Sequence, residues 1–111
     1  DMVEAIDHSS LGVAVDVYHV WWDPELPDQL QRAGGSIFAF HVCDWRVPTR
    51  DILNDRALMG AGCIPVKHIR ETVERAGFEG WIEAEIFSDE HWASDQGAYV
   101  DRIAQAYRDH V

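Results

Sequence analysis

The chain has 111 residues, 47% hydrophobic and 26% charged, and its 20 acidic and 9 basic residues give a formal net charge of −11. This acidity argues against a nucleic-acid-binding surface, which needs clustered basic residues to neutralise phosphates. No apolar run approaches the ~20 residues of a membrane helix, and Cys43 and Cys63 form no disulfide framework. We therefore expect a cytoplasmic protein that binds neither nucleic acid nor a membrane.

The first half of the chain predicts two strands separated by a helix. Residues 1–7 have the composition of a helix end, and residues 11–17 form a brief, β-branched apolar run typical of a strand covered on both faces. Asp23-Pro24-Glu25 is a favourable helix start, and Gly34-Gly35 ends that helix after Ala33. Residues 36–42 form the second predicted strand.

The second half predicts a long loop and then a helix, a strand and a helix. Residues 45–63 lack periodicity, and loops of this length in compact domains usually serve function. Residues 64–76 show helical spacing of apolar side chains, residues 81–87 alternate apolar and acidic side chains, and residues 88–94 form a predicted loop before a last helix capped by Asp95. Strictly alternating strands and helices predict an α/β fold with a parallel sheet.

Each predicted strand ends in a side chain that can bind a metal ion: Asp16, His41 and Glu85. The carboxyl ends of parallel strands meet at one edge, so we expect these side chains to lie close together. Two carboxylates and an imidazole suit Mn²⁺, Mg²⁺, Co²⁺ or Zn²⁺. Taken singly, Asp16 could cap a turn, His41 could be a core histidine, and Glu85 could lie with Glu83 on a solvated face. Three such residues at one edge favour the metal site.

Four motifs occur here in an order that resembles a known family. They are Asp16-Val-Tyr-His19, Phe40-His41-Val-Cys-Asp44 followed by Arg46, Gly60-Ala-Gly62, and Gly77-Phe-Glu-Gly80-Trp-Ile-Glu-Ala-Glu85. Together they resemble the sugar phosphate isomerase/epimerase family of xylose isomerase-like TIM barrels. This group includes ketose 3-epimerases, inosose dehydratases and endonuclease IV, and the resemblance spans nearly the whole chain.

The resemblance implies a (β/α)₈ barrel with a divalent metal at its C-terminal mouth. The three strand-end residues would match the ligands after the sixth, seventh and eighth strands, with Glu85 preferred to Glu83 because it lies nearer the strand end. His19 and Arg46 would match residues that hold substrate oxygens. For Arg46 a plainer interpretation remains open, an ion pair with Asp44. Cys43 is a candidate buried filler.

Two departures from the family pattern shape the expectation. A barrel needs about 250 residues, whereas residues 1–111 hold about three βα units and no strand for the family's fourth ligand, a glutamate. We therefore expect a partial barrel domain, the C-terminal part of a longer protein, whose open strand edges favour a homo-oligomer. Asn54-Asp55-Arg56 also lacks the histidine of the Asp-x-His motif in endonuclease IV, so a multi-zinc phosphodiesterase site is incomplete.

The function that the resemblance implies is isomerisation or epimerisation of a sugar, sugar phosphate or polyol through a metal-stabilised enediolate. Glu85 would be one of two carboxylates that move the proton, with His19 and Arg46 orienting the substrate. Tryptophans 21, 22 and 45 either shield the site or simply pack the loops. A dehydratase acting on an inosose-type ketone and a catalytically inactive binding module remain open alternatives, and these residues alone are expected to be inactive.

Overall fold

A three-stranded parallel sheet forms the centre of the molecule, which a computed structural model describes over residues 2–111. The strands are β1 (Val13–Asp16), β2 (Ile37–Val42), β3 (Asp44–Trp45), β4 (Arg56–Ala57) and β5 (Ile82–Ala84). The helices are α1 (Met2–Ile6), α2 (Val17–Val20), α3 (Leu26–Ala33), α4 (Val66–Arg75), α5 (Asp89–Trp92) and α6 (Gln96–His110). The sheet order is β1-β2-β5, and β3 and β4 form a separate antiparallel pair.

The strand register brings the polar strand ends to one edge of the sheet. Asp16 of β1 lies opposite His41 of β2, and His41 lies opposite Glu83 of β5. The backbone N–H of Glu85 donates to the carbonyl of Val42 over 3.0 Å, which continues the ladder one residue past β5. Because all three strands run in the same direction, their carboxyl ends form a single polar rim.

One face of this sheet carries the hydrophobic core. Phe40 and Val42 of β2 are fully buried there, against side chains that α3 and α4 contribute from outside the sheet. The Phe40 ring meets the ring of Phe78 edge-on at 6.2 Å between centroids. Burying a large apolar side chain contributes roughly 1.5–3 kcal/mol, so this layer holds the strands in register. The opposite face, which carries His41, is only partly covered.

The predicted helix end at Gly34 and the predicted cap at Asp95 are observed, but the helix start predicted at Asp23-Pro24-Glu25 is displaced. α3 begins at Leu26, and its N-cap residue, Glu25, makes no side-chain capping hydrogen bond. Gly34, with φ of 49°, ends α3 in the left-handed region that favours glycine, and the Asp95 carboxylate accepts from the N–H of Ala98 over 2.8 Å at the start of α6. Within residues 2–111, no helix has both the length and the apolar character needed to cross a membrane.

Three further local features differ from the prediction. The strand expected over residues 11–17 gives way to the helical turn α2 at Val17, the predicted loop at residues 88–94 contains α5, and the stretch predicted to be irregular includes β4 and the second residue of β3. The reason for these misses is length, since elements of two to four residues leave no readable periodicity. At the first of them the Asp16 carboxylate caps α2 by accepting from the N–H of Tyr18 over 2.9 Å. Asp16 therefore does act as a cap, with its second oxygen left for other contacts.

Candidate metal centre

The three predicted ligands lie together at the polar rim of the sheet. Asp16, His41 and Glu85 each offer one ligand atom, and these atoms all lie within 4.8 Å of one another. Their side chains are partly buried, with exposed fractions of 12%, 22% and 32%. His41 Nδ1 lies 3.5 Å from Glu85 Oε1. Two carboxylate oxygens and one imidazole nitrogen form a mixed donor set, so these residues fit a divalent cation.

Glu85 is better placed than Glu83 to complete this cluster. The Glu83 carboxylate lies 3.9 Å from His41 Nε2, on the other side of the imidazole ring, and 64% of its side chain is exposed. The Glu85 carboxylate is nearer the ring and half as exposed. The geometry therefore supports the choice of Glu85, which was predicted from its position at the end of the strand.

Arg56 also enters the centre, although the sequence had not singled it out as a site residue. Its Nη1 donates to Asp16 Oδ2 over 2.9 Å and to Glu85 Oε2 over 3.0 Å. Its Nη2 lies 3.3 Å from His19 Nε2. The residue is 2% exposed, so one buried guanidinium links both carboxylates. A sequence signal was available, since an arginine that opens the apolar run Arg-Ala-Leu-Met needs a charged partner once buried.

Aromatic side chains enclose the Arg56 guanidinium. Its central carbon lies 4.3 Å from the centroid of the Tyr18 ring and 4.8 Å from that of Phe87. Tyr18 in turn stacks on Trp45, with ring centroids 4.6 Å apart. Trp45 thus supports the Tyr18 ring that contacts the Arg56 guanidinium. Cation–π contacts of this kind are worth more in a desolvated setting than at an exposed one.

The electrostatics of this enclosure keep Arg56 charged and Cys43 neutral. Burial is the largest single influence and would lower the pKa of the Arg56 guanidinium, but the attraction and hydrogen bonds of its neighbours, with Asp16 first among them, together outweigh burial, and the pKa is raised. Burial raises the pKa of the Cys43 thiol to about 12, although Arg56 Nη1 lies 3.8 Å from its sulfur. Cys43 is therefore a protonated, buried side chain that fills space, as its sequence context suggested.

His19 and Arg46, the two predicted substrate residues, lie in different places. His19 stands on α2 with its Nε2 3.6 Å from Asp16 Oδ2, and 66% of its side chain is exposed at the mouth of the centre. The structure does not bring Arg46 to the three ligands. Its guanidinium instead forms ion pairs with Asp55, at 3.0 Å, and with Glu90, at 3.6 Å. Arg56, and not Arg46, contacts the carboxylates of Asp16 and Glu85.

Asp44 does not form the ion pair with Arg46 that was the plainer interpretation of the sequence. Its buried carboxylate accepts four backbone N–H groups: those of Trp45 and Ile64 at Oδ1, each over 2.8 Å, and those of Gly60 and Gly62 at Oδ2, each over 2.9 Å. A Cβ on Gly62 would lie 2.2 Å from the carbonyl oxygen of Trp45. The Gly60-Ala-Gly62 motif therefore lets a chain segment wrap around the buried carboxylate of Asp44, which follows His41 closely in the chain.

Comparison with known proteins finds a matching family and solved structures that resemble this chain. Residues 1–109 match the model of a family described as xylose isomerase-like TIM barrels. The crystal structure of protein SMc04130 from Sinorhizobium meliloti 1021 is 47% identical with a TM-score of 0.93, and the match covers 98% of this chain and 40% of that one. A crystal structure of the IolI protein with a bound zinc atom is similar in fold, at 20% identity and a TM-score of 0.82, over 97% of this chain and 40% of that one. A search of curated proteins gives no match. The chain thus spans two fifths of the length of either solved relative.

Proposed function

Because the chain belongs to the xylose isomerase-like TIM barrel family, we propose that it supplies three metal ligands and a proton-transferring carboxylate to a sugar isomerase or epimerase. The predicted resemblance and the predicted fold class, an α/β portion of a (β/α)₈ barrel, are both confirmed. One observation carries the proposal: ligand atoms of Asp16, His41 and Glu85 lie within 4.8 Å of one another at the carboxyl ends of three neighbouring parallel strands.

The proposed metal is Mn²⁺, Mg²⁺, Co²⁺ or Zn²⁺, held by the carboxylate oxygens of Asp16 and Glu85 and a ring nitrogen of His41. The zinc atom in the IolI structure supports a divalent metal in barrels of this fold. When bound, such an ion would supply Lewis-acid chemistry beside these residues, which favours the negative charge that develops on a substrate oxygen during proton abstraction. The proposed substrate is a sugar, sugar phosphate or polyol with a carbonyl group beside a hydroxyl-bearing carbon.

Glu85 is the proposed base that removes a proton from the carbon next to that carbonyl. Its carboxylate is held between two neighbours, since Arg56 Nη1 donates to Oε2 over 3.0 Å and His41 Nδ1 lies 3.5 Å from Oε1. This leaves the carboxylate fixed at the rim of the sheet, on the face that remains partly covered. A base held in one orientation saves the entropy of bringing it to the substrate, which is a large part of the advantage of enzymic proton transfer.

Arg56 and His19 are the proposed contacts for substrate oxygens. Arg56 is buried, charged and hydrogen-bonded to both carboxylates, so it presents a rigid planar donor group. His19 is mostly exposed at the mouth and 3.3 Å from Arg56 Nη2, so it can meet a hydroxyl group as the substrate enters. We assign to Arg56 the substrate-orienting role that the motifs suggested for Arg46.

The test uses the full-length protein with Mn²⁺ and a panel of ketohexoses, ketopentoses and inososes in deuterated water. We expect Mn²⁺ binding in calorimetry and deuterium incorporation next to a carbonyl in NMR spectra, both lost on treatment with a chelator. Glu85→Gln should abolish deuterium exchange, whereas the matched control Glu83→Gln, on the same strand and more exposed, should retain it. Exchange at an unchanged rate in Glu85→Gln would rule out this base.

The products distinguish the proposed isomerisation or epimerisation from a dehydration. An epimer or isomer of the added sugar supports the proposal, whereas loss of water from an inosose would show a dehydratase that shares the same proton abstraction. A wild-type protein that binds no divalent metal and exchanges no substrate proton would refute the function altogether.

A further inference from the structure

The strand that carries Arg56 is held along both edges by backbone hydrogen bonds. On one side Arg56 pairs with Trp45 of β3. On the other, the N–H of Arg56 donates to the carbonyl of Phe87 over 2.9 Å, and the N–H of Asp89 donates to the carbonyl of Asn54 over 3.1 Å. The long loop after β2 therefore folds back between the continuations of β2 and β5. The ladders on the two edges of this short strand are only one or two residue pairs long, so they specify the register of the strand weakly.

Beside this strand lies a cluster of two arginines and two carboxylates. Asp55, whose side chain is 3% exposed, lies 3.0 Å from Arg46 Nε and accepts from the guanidinium and the backbone N–H of Arg50, the latter over 2.8 Å. Glu90 of α5 completes the cluster, 2.7 Å from Arg50 and 3.6 Å from Arg46. The hydrogen bonds from Arg50 are the main cause that lowers the pKa of Asp55 to about 2. Both arginines thus contact both carboxylates, and Asp55 is the buried carboxylate of the two.

The alternation of side chains along a strand connects this cluster to the metal centre. Successive side chains of a strand point to opposite faces, so Asp55 faces the arginine cluster while Arg56 faces Asp16 and Glu85. A slip of one residue would turn Arg56 away from the carboxylates and bring an acidic side chain toward them. An anchored Asp55 excludes that slip, because a buried carboxylate that loses its arginine partners is costly.

We propose that Asp55, held by Arg46 and Arg50, is a positioning residue that fixes Arg56 against Asp16 and Glu85. The catalytic consequence of this inference rests on the proposed function, but the placement of Arg56 does not. Arg46 then affects the metal centre only through its contact with Asp55, and it needs no contact with substrate. Glu90 lies on α5 and contacts Arg50 of the same cluster. The segment after β5 therefore also helps to position Arg56.

The experiment compares Asp55→Asn and Arg50→Gln with the wild-type, full-length protein labelled with ¹⁵N-arginine. Arg56 Nε is buried and has no hydrogen-bond partner among residues 2–111. The variant Arg56→Lys identifies its N–H signal by removing it. We expect that signal to shift or broaden in both variants. The matched control is Glu74→Gln, which breaks an exposed ion pair with Arg70, at 2.8 Å, and should leave the Arg56 signal unchanged.

Kinetics on whichever substrate of the panel reacts provide the second readout. Misplacing an orienting group by about 1 Å can cost roughly 100-fold, so we expect kcat/KM to fall about 10- to 100-fold in Asp55→Asn. In the background of Arg56→Ala the same change should cost nothing further, since the two residues act through one contact. Metal content should stay at the wild-type level, because the three ligands are untouched.

Each outcome decides the proposal. An unchanged Arg56 signal in both variants, or losses that simply add in the double variant, would overturn it. If Asp55→Asn fails to fold, Arg50→Gln decides alone, because the Arg50 side chain is 57% exposed and its removal leaves no cavity in the core. A protein without turnover would count against the proposed function, while the NMR result would still decide whether Asp55 positions Arg56.

Discussion

Replacing Asp44 with asparagine should strongly destabilise the protein. The carboxylate is 1% exposed and accepts four backbone N–H groups, two at each oxygen. Three of these donors belong to Gly60, Gly62 and Ile64, so the side chain holds the whole turn that leads into α4. Asparagine has nearly the same shape, which isolates the hydrogen bonds from any change in packing.

The size of the effect follows from the number of donors that lose an acceptor. In Asp44→Asn the single carbonyl oxygen of the new side chain can serve only one pair of N–H groups, and its amide group would face the other pair with donors of its own. A hydrogen bond to a charged group contributes about 1.5–3 kcal/mol, so losing two costs about 3–6 kcal/mol. Domains of this size unfold at a cost of about 5–15 kcal/mol, which makes this a large fraction of the total.

Urea denaturation followed by circular dichroism measures the change in the free energy of unfolding. With a urea dependence of about 2 kcal/mol per molar, a loss of about 4 kcal/mol moves the midpoint down by about 2 M. Asp95→Asn is the matched control, because Asp95 accepts one N–H at the exposed start of α6 and asparagine caps helices equally well. If Asp44→Asn changed the free energy of unfolding by no more than the ~0.5 kcal/mol of an ordinary surface substitution, the four hydrogen bonds would not stabilise the turn.

Three further predictions concern the same region and its surroundings. Gly62→Ala should destabilise the protein by about 1–3 kcal/mol in urea, because its Cβ would lie 2.2 Å from a carbonyl oxygen of β3, whereas Gly35→Ala has nothing within 4 Å; equal effects would refute the close approach. The pKa of Asp55 is lowered from 3.8 to about 2 by its arginine hydrogen bonds, so its stabilisation is present above about pH 4 and is lost as the pH falls through about 2. The difference in unfolding free energy between wild type and Asp55→Asn should therefore shrink between about pH 5 and about pH 2.5, and a constant difference would contradict this. Burial raises the pKa of Cys43 to about 12, so mass spectrometry after iodoacetamide treatment at about pH 8 should find the exposed Cys63 alkylated and Cys43 intact; labelling of both at one rate would show that Cys43 is accessible.

The clustering of the three candidate ligands could be predicted because the signals for it are local. Each stands at or near the end of a predicted strand, and the alternation of strands and helices forces those ends to one edge. Asp16, His41 and Glu85 therefore needed no knowledge of loops, and the structure brings their ligand atoms within 4.8 Å. The choice of Glu85 over Glu83 also followed from position along the strand, since both acids share a face and only one lies at the rim.

The arginine of the centre could not be chosen in this way. Arg46 and Arg56 both lie in the long loop after β2, and nothing periodic distinguishes them. The contacts of Arg56 with Asp16 and Glu85 span 40 and 29 residues of sequence, and they depend on a strand of two residues that folds back between β3 and Phe87. Likewise, nothing in the sequence shows that Asp44 would face four backbone N–H groups instead of a basic side chain.

Hydrophobic periodicity and chain direction are enough to predict the order of the longer strands and helices and the residues at the strand ends, and the ordered motifs are enough to predict the family. Which arginine reaches the carboxylates, and which acids hold the loops, depends on tertiary contacts that no local pattern encodes. Those choices depend on the register of ladders one or two residue pairs long, and a shift of one residue there exchanges Asp55 for Arg56 at the centre.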